Sequence, residues 1–234
     1  MGWEFRGLPL EGIHFLAALQ FNNNKPFFEE NRALYMRALR EPLCVLARDM
    51  APVMAGIDDR FELRPERVVA RIYRDARYSR GIPYRDYLWL GWKPMGASAG
   101  ESFSYYFYVN TRECGWGMGF YGQIREWMAA FRQRVIADPD GFLALAGSDA
   151  AATFSLEGED YKRPPETPEL PQALAPWIRK KSFYLEKTAS HEACMSPDLP
   201  GRLTEDFTGL APLYRYVNEC RSGQAGEAEA RRSV

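Results

Sequence analysis

The stretch RIYRDARYS (71–79), continued by PYR (83–85), gathers guanidinium groups, a carboxylate and hydroxyls within a few residues of one another. As a strand over 67–77, period two sets Arg71, Tyr73, Asp75 and Arg77 on one face and Val68, Ala70, Ile72 and Arg74 on the other. Successive side chains on a face then stand roughly 7 Å apart. Asp75 between two guanidiniums stays ionised and orients them, which leaves outward N–H donors to grip a phosphate or carboxylate. Arg71, Arg74, Arg77, Tyr78, Ser79, Tyr84 and Arg85 are therefore candidate ligand-binding residues. Asp75 is the candidate catalytic residue, as general base, if the cluster performs phosphoryl or acyl transfer. An Arg–Asp network covering an exposed sheet face would present the same residues without any ligand. Arginine is also the chain's default cation, at 24 Arg against 6 Lys, which lowers the weight of any single one.

Three other segments carry weaker chemical signals. GMGFYG (117–122) is formally G-x-G-x-x-G, yet Trp116, Met118 and Phe120 alternate with glycines as in a strand with one bulky and one bare face. EGEDYKR (157–163) contains a D-x-K triplet of the kind that holds Mg²⁺ in nucleases, and equally reads as a solvated charge run. His191, Glu192 and Cys194 lie close in sequence, but the chain has only two histidines, so neither a metal nor a cofactor is expected. The cysteines Cys44, Cys114, Cys194 and Cys220 form no C-x-x-C pair and no disulfide framework, which fits a reducing, cytoplasmic setting.

RIYRDARYS followed by PYR resembles the R-x-x-R-D-x-R-F-S-x-x-K-x-P-Y-K signature of a widespread bacterial family, domain of unknown function 2461. The pattern FLAALQFNNNKPFFEENR (15–32), the run KRPP (162–165) and KSF (181–183) resemble that family as well, so the likeness spans nearly the whole chain. It brings no activity, cofactor or catalytic residue to carry over. Arg71, Arg74, Asp75, Arg77, Ser79, Pro83 and Tyr84 occupy signature positions. The interval from serine to proline is one residue short, the signature lysine is absent from Arg80, Gly81 and Ile82, and Arg85 stands where a lysine is expected.

The elements that position these residues read as α+β: a mainly antiparallel sheet of about six strands packed by N-terminal, central and C-terminal helices. Apolar spacing predicts helices over 12–21, 26–39 and 42–54, then strands at 67–77, 84–92, 103–110 and 115–122. A further helix carries Trp127, Met128, Phe131 and Val135, and strands at 152–158 and 182–187 bracket a helix near 172–181. A last helix places Leu199, Leu203, Phe207, Leu210 and Tyr214 on one face. Residues 1–220 read as a single domain and 221–234 as a flexible tail.

The 234 residues carry 46% hydrophobic and 26% charged side chains and a formal charge of −1. Disorder and coiled coil are excluded, and no global positive field favours nucleic acid or membrane as a partner. No signal peptide or membrane span is expected. Composition leaves the oligomeric state open. Three functions remain: binding of a small anionic ligand, hydrolase or transferase chemistry through Asp75, and a protein-interaction module using exposed aromatics and the RPPETPELP loop (163–171).

Overall fold

The computed structural model describes residues 4–75, 77, 81–98, 100, 102–120, 122, 125–163 and 168–232, the side chains of 221–232 excepted. Helix α1 (Leu10–Phe21) is followed by α2 (Lys25–Glu30) and α3 (Arg32–Tyr35). A π-helical turn (Met36–Arg40) leads into α4 (Glu41–Ile57), and a single turn, α5 (Pro65–Val68), precedes the sheet. The strands β1 (Leu88–Trp92), β2 (Phe103–Val109) and β3 (Cys114–Phe120) come next. After them run α6 (Arg125–Ala137), α7 (Pro139–Ala146), α8 (Asp149–Ala152), β4 (Ser155–Glu157) and α9 (Ala175–Ile178). Strand β5 (Tyr184–Ala189), α10 (His191–Met195) and α11 (Leu199–Arg232) complete the chain. The five strands form one antiparallel sheet in the order β1-β2-β3-β5-β4, with Leu156 opposite Leu185 where β4 meets β5.

The chain is thus α+β, with five of the six expected strands. The sixth, over 67–75, is instead a helical turn begun by Pro65 and an extended arm held by isolated bridges at Val69 and Tyr73. Proline at the first helical position favours that turn because its missing N–H is an orphan there anyway. The helix expected over 26–39 is likewise broken into three pieces. Asn24 caps α2 by accepting from the Phe27 N–H at 3.0 Å, and Asn31 leaves helical geometry at φ −101°, ψ 10°.

Two compact units partition these elements: residues 1–95, 106–116 and 188–205 make one, and 96–105, 117–187 and 206–234 the other. In the first, Leu16, Leu19, Leu39, Leu43, Leu46 and Met50 are fully buried, and Gly12 lets α1 approach the π turn: a Cβ there would stand 2.5 Å from the Ala38 carbonyl oxygen. In the second, Phe183 is the hub of an aromatic core, with ring centroids 5.3 Å from Phe131 and Trp177, 5.5 Å from Phe103 and 5.7 Å from Phe120. Each such pair adds about 0.5–1.5 kcal/mol beyond its area burial. Trp127 donates its indole N–H to the Val217 carbonyl at 2.8 Å, and the Tyr105 hydroxyl donates to that of Phe207 at 3.1 Å.

The glycine-bearing segment 114–120 is a strand buried on both faces, so it offers no phosphate-cradling turn. Its bare face is filled by protein. A Cβ on Gly119 would overlap the Cα and Cβ of Tyr184, and one on Gly115 would meet the Tyr108 ring at 2.7 Å. Strand β2 is almost wholly buried too, so most of its aromatic rings belong to the core. Among the described residues, no helix is long and apolar enough to cross a membrane.

Gly119→Ala is expected to destabilise the protein by about 2–3 kcal/mol, because the added methyl meets backbone that cannot move aside. Gly56→Ala, inside α4 with nothing within 4 Å of the new methyl, is expected to stabilise by about 0.4–1 kcal/mol. Urea denaturation of the two variants beside wild type reads both.

Candidate functional site: an arginine hairpin joined to the N-terminal helices

Residues 69–74 and 83–90 run antiparallel as two arms of a hairpin. Bridges join Val69 to Leu90 and Tyr73 to Tyr84, and backbone bonds run from Ala70 N–H to Trp89 O (2.9 Å), Arg85 N–H to Ile72 O (2.8 Å) and Arg74 N–H to Pro83 O (2.8 Å). The ladder stays irregular because Pro83 has no N–H and side chains take several of its carbonyls. Arg40, on the π turn, donates to Val69 O at 2.8 Å and to Ala70 O at 3.4 Å, pinning the first arm at its base. Arg85 donates to Arg71 O at 2.6 Å, and Arg74 Nε to Tyr84 O at 2.9 Å.

Both signature segments meet at Tyr84. The Asn23 side chain accepts from the Tyr84 N–H at 3.0 Å and donates to the Tyr84 carbonyl at 3.0 Å, so one amide serves both backbone groups of the residue. Phe28 stacks on the Tyr84 ring at 4.3 Å, and Tyr73 lies 5.7 Å from Phe28 and 5.4 Å from Tyr84. Tyr35 and Phe15 extend the cluster inward, at 5.5 and 6.3 Å from Phe28. Burial pushes the Tyr35 hydroxyl up to about 12 and that of Tyr84 in the same direction, so both keep their protons at neutral pH. Tyr73 is the outward ring, 48% exposed. Gln20 braces the second arm, donating to Asp86 at 2.8 Å and to Thr111 at 3.1 Å.

The arginines of the hairpin divide into two kinds. Arg77 folds back on Asp75, with N···O contacts of 2.6 and 3.0 Å, and its own N–H bonds the same carboxylate at 3.0 Å. That clamp holds the Asp75 carboxyl below the usual carboxylate range. Arg74 pairs with Asp86 at 3.3 Å. Arg71 is exposed and its guanidinium makes no hydrogen bond or ion pair among the described residues, while Arg85 is spent only on the Arg71 carbonyl. Arg71 and Arg85 are brought together, Arg77 and Asp75 form a closed pair, and Arg74 turns toward Asp86. Tyr78 and Ser79 lie outside the described residues.

Sequence reasoning on the hairpin alone missed Gln20, Asn23, Phe28 and Asp86. The N-N-N and F-F-E runs held the signal, but nothing in their spacing says which partner they meet. The other candidates fall into local networks. Asp160 lies between Arg179 (3.0 Å) and Lys180 (3.1 Å), with Lys180 also donating to Gly158 O at 3.0 Å. His191 Nε2 contacts Asn110 O at 2.9 Å. Among the described residues no group of three or more His, Cys, Asp or Glu side chains is placed to hold a metal ion.

Asn23→Ala is expected to destabilise by about 1–3 kcal/mol, since it strands the Tyr84 N–H next to a buried ring and leaves the Tyr84 carbonyl to Arg74 alone. The Asp75 carboxyl should titrate below its ordinary value and return toward it in Arg77→Ala, observable by carbon-13 NMR. Because the folded-state value is depressed, the stabilisation from this clamp is complete above the ordinary Asp range and disappears as pH falls through the depressed value.

A search of curated proteins finds no match. Residues 11–216 match the family model described as conserved hypothetical protein (DUF2461), a span that takes in both arms of the hairpin and the helices that brace it. The chain therefore belongs to the DUF2461 family.

Proposed function

We propose that the hairpin of residues 69–90 binds a small anionic, phosphate-bearing ligand, with Arg71 and Arg85 as its anchors. The observation that carries this reading is the contrast among neighbouring guanidiniums. Arg77 and Arg74 each have a carboxylate, whereas Arg71 and Arg85 have none among the described residues, and the bond from Arg85 to the Arg71 carbonyl ties the two arms together at these residues. A guanidinium keeps its charge at any physiological pH and presents a planar fork that fits phosphate oxygens. The exposed Tyr73 ring supplies a hydroxyl and an apolar wall beside them. The clamp on Asp75 works against its use as a general base, because a carboxyl depressed by an ion pair has little affinity for a proton at neutral pH.

Isothermal titration calorimetry against inorganic phosphate, nucleoside mono- and diphosphates and sugar phosphates tests the proposal. Arg71→Ala and Arg85→Ala are each expected to weaken the tightest ligand by roughly tenfold or more, the scale of one charged hydrogen bond. Arg77→Ala should have a much smaller effect. Absence of binding across the panel, or an affinity unchanged in Arg71→Ala, overturns the assignment.

A further inference from the structure

Two cysteines far apart in sequence are brought to the same short length of chain, within the unit that holds the hairpin. Cys114 opens β3 and Cys194 lies in α10, and both thiols bond backbone carbonyls of residues 189–191. Both sulfurs sit around the same short length of chain. Cys114 Sγ is 3.5 Å from Ser190 O and 3.7 Å from Ala189 O, and Cys194 Sγ donates to His191 O at 3.1 Å. Both residues are fully buried and both are free thiols. Cys44 and Cys220 are also free, and Cys220 bonds Tyr216 O at 3.3 Å, with Arg134 beside it.

Buried cysteine commonly acts as a small hydrophobe. Two that flank the same backbone segment, one at a strand end and one in a helix, have a further chemistry open to them. We propose that Cys114 and Cys194 form an oxidisable dithiol which hydrogen peroxide converts reversibly into a disulfide tying β3 to α10.

Cys114 is the attacking sulfur, because the neighbouring Cys194 holds its thiol below the ordinary range, while the Cys194 thiol is correspondingly pushed up. The Cys114 thiolate attacks one peroxide oxygen, the O–O bond breaks, and hydroxide leaves to take up the proton Cys114 released. The product is Cys114 sulfenic acid and one water. Cys194 sulfur then attacks the Cys114 sulfur, the S–O bond breaks, and the departing hydroxide takes the Cys194 proton to give the second water. Two thiols lose two electrons and one peroxide gains them.

Burial selects a small oxidant and makes its entry depend on local opening. The cover over Cys194 is the N-terminal segment: Leu8 N–H bonds Cys194 O at 2.8 Å, and Gly7, at φ 94°, packs its backbone against the Met195 carbonyl. Helix α10 is short, from His191 to Met195, so it opens at little expense.

The test treats the reduced full chain with hydrogen peroxide in native buffer, counts free thiols, and maps the non-reduced, alkylated digest by mass spectrometry. Two of the four thiols should be lost, with one peptide joining Cys114 to Cys194, and dithiothreitol should restore them. Cys114→Ser and Cys194→Ser, each checked for a native circular dichroism spectrum, should yield no such peptide. Cys44→Ser and Cys220→Ser should form it as wild type does, which keeps the outcome decisive if a buried serine disturbs folding. Four unreacted thiols, over-oxidation of one cysteine without a cross-link, or a pairing through Cys44 or Cys220 overturns the proposal.

Discussion

Tyr84, its backbone bracketed by the Asn23 amide and its ring stacked under Phe28, is the contact on which the arginine hairpin depends. A hairpin of two irregular arms in water has little stability of its own. This one is held from one side by Asn23, Phe28 and Gln20 and at its base by Arg40, so the N-terminal helices position the arginines more than the hairpin's own ladder does. Asparagine is suited to that place, since only a side-chain amide supplies a donor and an acceptor to one residue with the same geometry a neighbouring strand would use. Phe28 then keeps water from competing for those two bonds.

Charge on the hairpin follows from its local pairing. Asp75 and Arg77, two residues apart, close on each other in a turn, and Asp86 draws Arg74 to the second arm. Exposed pairs of this kind add little stability, so their main effect is to decide which guanidiniums remain available. The simple alternation of faces along 71–77 survives in part, with Arg71 and Tyr73 outward and Ile72 inward. What it does not capture is side-chain reach. Arginine is long enough to curl round an arm edge and find a backbone carbonyl, as Arg74 and Arg85 do.

Five of the six strands were legible because β-branched and aromatic runs bounded by turn residues leave few alternatives. Segment 67–77 carries the same pattern, but Pro65 begins a helical turn that consumes its first residues, and Arg40 then occupies the Val69 carbonyl. The G-x-G-x-x-G run was legible as a strand from its alternation, and Gly119 reports close approach of the β5 backbone. The π turn at Met36–Arg40 had no sequence signal, for its apolar spacing is compatible with an ordinary helix. The contact of Asn23 with Tyr84 and the nearness of Cys114 to Cys194 were hidden for a different reason: periodicity describes neighbours along an element, whereas these pairs are set by how elements pack.

Thr111 lies in the turn between β2 and β3, and that turn touches both features of the unit. Gln20 joins Thr111 to Asp86 on the second arm of the hairpin, where Asp86 in turn holds Arg74. On the other side the turn runs directly into Cys114, and His191, at the start of α10, contacts Asn110 O. A run of packed contacts transmits displacement only where some element along it has two discrete arrangements. A dithiol that is either open or covalently closed is such an element, and the residue it would move first is the one following the turn that Gln20 grips. On the redox and anion-binding readings together, closure of Cys114 onto Cys194 would therefore reach the second arm at Asp86, the residue beside Arg85.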